Sequence, residues 1–145
     1  MVYFTKDDVL ARIKASNLDV ITEGDDTILN PHELDAVDEV KSYLAHDYDI
    51  DLVFQPIETE DYTLNATIKR MTIDVMLYGL HNSRVNPRNI PENIVQKRDD
   101  AITWLKSVAN PRTNINAPFL PKKQFEDGRN NEMAWGSRAK RRNDY

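Results

Sequence analysis

Three histidines, His32, His46 and His81, are the only imidazoles in the chain, and none stands at metal-ligand spacing from another. Cysteine is absent, which excludes disulfides, thiolate metal sites and cysteine nucleophiles. The histidines therefore read as surface or helix-end residues. Carboxylates gather at Asp25-Asp26 and at Glu58, Glu60 and Asp61, and paired acids can do acid–base work. Both groups flank expected helix starts, where acids favour the helix dipole. Asp25-Asp26 also lacks the alternating acids of a calcium loop. No serine sits in a nucleophile-elbow pattern. Four glycines are too few for a glycine-rich phosphate loop. Asn65-Ala66-Thr67 has the form of a glycosylation acceptor but falls inside an expected helix. The expectation is a protein without catalytic, cofactor or metal residues, and not an enzyme.

The densest chemistry lies at the C-terminal end. Arg138, Lys140, Arg141 and Arg142 follow Trp135. Such a run can track phosphates, and an indole can stack on a base. Equally, Trp and Arg anchor protein interfaces. The charge distribution bears on this choice. The 145 residues carry 24 acidic and 19 basic side chains, a net of −5. Residues 1–110 hold 11 basic and 20 acidic groups, a net of −9, whereas residues 111–145 hold 8 and 4, a net of +4. An acidic body repels DNA, and dedicated nucleic-acid binders usually present a basic face. We therefore read two parts: a folded helical body over 1–110 and an extended basic arm over 111–145. The arm, with Pro111, Pro118 and Pro121, cannot bury enough surface to fold alone. A partner surface is expected to hold it, the alternative being its own body. Phe119, Leu120 and Phe125 are its candidate apolar anchors. Trp135, Arg138, Lys140, Arg141 and Arg142 suit an acidic groove.

The length fits one domain. No run of about 18 apolar residues exists to span a membrane. The opening residues lack the basic and apolar regions of a secretory signal, so none is expected.

Four helices are expected in the body. Thr5 caps the first, with Asp8 in the capping-box position and Val9, Leu10 and Ile13 as its apolar side, ending near Asn17. Gly24-Asp25-Asp26 supplies turn chemistry. Asn30-Pro31 opens the second helix, with Leu34, Val37, Val40 and Leu44 on one face and Glu33 among the polar residues elsewhere. It ends near His46-Asp47. Residues 48–54 alternate at period two and suggest a short extended connection, the alternative being a strand pairing across a subunit boundary. Asp61 is expected to cap the third helix, running to Leu80. Leu64, Ile68, Met71, Val75 and Tyr78 form one stripe, and Ile73, Leu77 and Leu80 form another almost opposite. Such a helix is either the centre of its bundle or shared with a neighbouring chain, so Ile73, Leu77 and Leu80 are candidates for subunit packing. Pro91 opens the fourth helix, which carries Ile94, Ala101, Leu105 and Val108 and ends at Asn110. The fold class is all-α, a four-helix bundle of two short and two long helices with an extended C-terminal arm.

Several stretches together resemble the tailed-phage head–tail connectors, also called portal adaptors or head-completion proteins, and in particular the Gp36-like group of Mu-like prophages. These are Tyr3-x-Thr5-x-x-Asp8-Val9, then Val40-Lys41-Ser42-Tyr43-Leu44 with Tyr48, then Pro91-Glu92-Asn93-Ile94-Val95-Gln96-Lys97-Arg98 followed by Ala101-Ile102-x-Trp104-Leu105, and last Met133-Ala134-Trp135-Gly136-Ser137 before the basic run. The chain departs from the group's usual residues at Asp47, Asp51 and Asp99-Asp100. The resemblance implies a structural protein of the virion neck. Copies would form a ring, usually of about twelve, beneath the portal protein at the capsid vertex. The ring would extend the DNA channel, through which DNA passes without specific binding, and would dock a tail-side stopper or tail-completion protein. The arm would contact the portal or a neighbouring copy. The competing expectation is a nucleic-acid-binding packaging accessory that uses the basic arm.

Overall fold

The computed structural model describes residues 1–84, 87–110 and 120–124. Six α-helices occur among them: α1 (Lys6–Leu10), α2 (Ala15–Thr22), α3 (Leu29–Leu44), α4 (Ile50–Val53), α5 (Ala66–Arg84) and α6 (Glu92–Ala109). No strand is present in the described residues. The all-α class holds. The four-helix description is corrected to three long helices and three short ones. α3, α5 and α6 pack on one another, and α2 packs against α5.

The long helices follow their apolar periods. α5 buries Ile68, Met71, Ile73, Val75, Met76, Leu77 and Leu80, so it is enclosed almost all round. Ile73, Leu77 and Leu80 keep at most 1% of their surface exposed within this one chain. The expectation that they pack between subunits is corrected for that reason: their faces are already filled from inside.

The remaining differences lie at helix boundaries. The expected first helix is two. α1 has the predicted capping box, in which Thr5 and Asp8 bond each other's backbone N–H. The chain then turns through residues 11–14, which lets Arg12 reach α5 and buries Ile13, before α2 runs on to Thr22. Glu23 and Gly24 end α2 in the left-handed region (φ 53° and 76°). Asn30 is not the cap of α3: a 3-10 turn at Asp26–Ile28, capped by Asp25, leads directly into the helix. Asp61 has φ 59° and is not the cap of α5. α5 instead starts five residues later, where Asn65 Oδ1 accepts from the N–H groups of Thr67 (2.9 Å) and Ile68 (3.3 Å). The 48–54 alternation proves to be one helical turn, α4, capped by Asp49, which accepts from Asp51 and Leu52. Tyr48, Val53 and Phe54 are buried, while Leu52 points to solvent.

Glu33 overturns its assignment to the polar face. It is fully buried, at helical spacing with Leu29, Ala36, Val37, Val40 and Leu44. Its carboxylate accepts from three backbone N–H groups: Val2 (2.7 Å), Tyr3 (2.8 Å) and Phe4 (3.2 Å). Phe4 is thereby seated in the core. Leu34, expected on the apolar face, is 46% exposed. Replacing Glu33 by Ala strands three amides of the N-terminal segment. The expected loss is about 3 kcal/mol, the scale of removing hydrogen bonds to a buried charge. Urea unfolding measures it, and a loss under about 0.5 kcal/mol would contradict the role given to Glu33.

Candidate interaction surface

Of the two carboxylate clusters, Asp25-Asp26 serves the fold. Asp25 accepts from the Thr27 hydroxyl (2.6 Å) and N–H (3.0 Å), and these bonds hold its carboxyl below the ordinary range. Asp26 pairs with Lys6 at 2.6 Å, and that contact raises the ammonium pKa. His46 lies 2.7 Å from Asp47 at the surface. His32 lies 3.2 Å from the Ser83 hydroxyl, which itself donates to the Leu80 carbonyl. His81 is in the last turn of α5 as expected, but is buried, with Nδ1 donating to the Leu77 carbonyl (2.7 Å). No group of three metal-ligating side chains exists among the described residues. Asn65, in the glycosylation-like triplet, is the cap of α5. No helix among the described residues is long and apolar enough to cross a membrane.

Two ion pairs tie the N-terminal helices to α5. Arg12 grips Asp74 with two bonds, Nε–Oδ1 at 3.0 Å and Nη2–Oδ2 at 2.7 Å, and Asp74 is 5% exposed. Lys69 Nζ meets Asp8 at 3.1 Å. Sequence reasoning missed Arg12, Asp74 and Glu33. The available signal was an acid on a buried period, Glu33 beside Val37 and Asp74 between Ile73 and Val75. Arg98 joins α6 to both partners, with its guanidinium 4.8 Å from the Tyr78 ring centroid and Nη2 3.2 Å from Glu39.

Of the expected arm anchors, only Leu120 falls among the described residues, and it is 5% exposed. It belongs to the core cluster of its own chain, so its assignment to a partner is corrected. The backbone explains this. Lys122 forms an isolated antiparallel bridge with Tyr48, Asp49 N–H donates to the Pro121 carbonyl (2.9 Å), and Lys123 N–H donates to the Asp47 carbonyl (3.0 Å). The segment at 120–124 is thus clamped on the body, between the ends of α3 and α4. Phe119, Phe125, Trp135, Arg138, Lys140, Arg141 and Arg142 lie outside the described residues.

The family model for bacteriophage Mu, Gp36 matches residues 3–132. The chain belongs to the bacteriophage Mu Gp36 family. It is a phage protein. No curated protein and no solved structure matches it. Within this Gp36-family chain, the match covers the Thr5 capping box, the end of α3, the whole of α6 and the 120–124 clamp. It stops before Trp135 and the terminal basic cluster.

Two outcomes follow from these contacts. Burial alone would raise the Asp8 pKa. Bonds from the Thr5 N–H, Lys69 and the Thr5 hydroxyl outweigh it and bring the carboxyl below its ordinary value. A carboxylate with a lowered folded-state pKa contributes its full stability above the unfolded value and loses it as pH falls through the folded one. The stability advantage of wild type over Asp8→Asn should therefore shrink from about pH 5 towards pH 2 in denaturant titrations. A constant gap would contradict this. Leu120→Ala should cost about 2 to 3 kcal/mol in unfolding free energy, the range for a truncated core leucine. No measurable loss would place Leu120 outside the core.

Proposed function

We propose that this protein is a structural component of the phage neck, a head–tail adaptor that docks on the portal protein as a ring. In this reading it extends the DNA channel and presents a face to the tail-side stopper or tail-completion protein. It performs no catalysis. The observation that carries the reading is membership of the bacteriophage Mu Gp36 family over nearly the whole helical body.

The charge pattern supports it. A body of net −9 suits a wall past which DNA moves without sticking, since cationic walls bind phosphates. The clamp at 120–124 also fixes the point from which the remaining chain departs. The residues from 125 to 145 could span at most about 70 Å if fully extended. Their basic groups suit an acidic protein groove.

The second reading, a DNA-packaging accessory, rests on Arg138, Lys140, Arg141 and Arg142. A portal pull-down distinguishes the two. Full-length protein is compared with a chain ending at Gln124, which keeps the Leu120 clamp. Capture of the full-length chain with at least about tenfold weaker capture of the shorter one is the expected result, because the arm carries the candidate anchors. Equal capture assigns docking to the body. If neither is captured and full-length protein binds duplex DNA with a steep salt dependence, the adaptor reading falls.

A further inference from the structure

Two surfaces of opposite charge lie on opposite flanks of α5. Arg70 and Gly79 are about two and a half helical turns apart, which puts them on opposite sides of the helix. Gly79 faces α3, since a Cβ at that position would lie 3.8 Å from His32 Nδ1. Arg70 faces the other way, into a crevice of about 350 Å³ between α5, α6 and the α1–α2 junction.

The crevice has an apolar wall of Met71, Ala101 and half-buried Trp104. Its charged groups are Arg12, Arg70, Lys97, Asp74 and Asp100. Arg12 and Asp74 neutralise each other. Asp100 accepts from the Gln96 amide (2.8 Å). Lys97 bonds only the Arg12 carbonyl (3.3 Å), and Arg70 has no ion pair among the described residues. The crevice is therefore net positive in a strongly acidic body.

The far flank is the outer face of α3. Asp35 and Asp38 are exposed there, and neither has an ion pair among the described residues. Leu34, 46% exposed, precedes Asp38 by one turn. One flank thus offers an apolar knob beside two carboxylates, and the other an apolar crevice in which Arg12, Arg70 and Lys97 outnumber Asp74 and Asp100, a net of +1.

We propose that copies of this chain associate head to tail, with Leu34, Asp35 and Asp38 of one copy seated on the Trp104 crevice of the next, facing Arg70 and Lys97. This rests on the ring-forming reading above and names the surfaces it uses. Two different patches on opposite flanks give a heterologous contact, the kind that closes into a ring when the rotation per copy allows. Pairing either patch with itself would set like charges face to face.

The test uses the full-length chain, which has no native cysteine. Asp38→Cys and Arg70→Cys are combined, and assembled phage particles are treated with a short bis-maleimide. A ladder of covalent multimers is expected from the double variant, and only monomer from either single variant. Arg70→Glu or Asp38→Lys alone should lower incorporation into particles by about tenfold or more, and the two together should restore it. Both positions are exposed, so neither change disturbs the core. If the protein is present in particles but the ladder is absent, or the double reversal is no better than the single ones, the face assignment is overturned and the adaptor reading survives. If Arg70→Glu lowers incorporation while Asp38→Lys does not, the crevice takes an acidic segment of a different protein, and self-association there is overturned. Absence of the wild-type chain from particles overturns the adaptor reading, and this proposal with it.

Discussion

A carboxylate enclosed in a helical core has to be met by donors, and Glu33 is met by the backbone of residues 2–4. Those amides belong to no helix and would otherwise face water. Their capture by α3 sets the path of the N-terminal segment. Phe4 enters the core one residue before Thr5 opens α1, and the Val2 carbonyl accepts from Ile57 N–H at 2.8 Å. One side chain thus joins α3, the N-terminal segment and the loop after α4. The entry angle of α1, and with it the position of Arg12, follows from this grip.

α5 is the second constraint. It is enclosed by α3, α6 and the α1–α2 pair, and it carries Asp74 on its buried surface. Arg12 meets that carboxylate with two parallel bonds, and Lys69 meets Asp8 one to two turns earlier on the same helix. Pairs of this kind add little net stability after desolvation, but an unpaired partner would be costly. Their effect is to admit one orientation of α1 and α2 on α5. The break at residues 11–14 is the backbone's accommodation of that orientation.

The two constraints bear on function by deciding which surfaces remain. The apolar residues that could have joined subunits, Ile73, Leu77, Leu80 and Leu120, are enclosed within the chain. Among the described residues, the exposed surface includes charge with small apolar areas, as on the outer face of α3 and at the Trp104 crevice. An assembly built on such surfaces would rely on charge complementarity for register and orientation.

Much of the architecture was legible in the sequence. The three long helices follow from apolar spacing near 3.6 residues, because each must bury one face. The Thr5–Asp8 capping box and the Gly24 turn follow from local chemistry confined to a few residues. The acidic body and basic arm follow from counting charges. Only the tertiary structure decided the rest, since partners distant in sequence decide it. Glu33 is buried because three amides about thirty residues away fill its valences, and Asp74 because Arg12 reaches it. Leu52 alternates correctly for a strand yet faces solvent, because Asp49 caps a helical turn there. Leu120 reads as an arm residue by composition but is core, because the residues that follow it, Pro121 to Lys123, pair with the backbone of residues 47–49 between α3 and α4. Composition ranks the average cost of burial, whereas the cost at a given residue depends on which groups the fold brings to meet it.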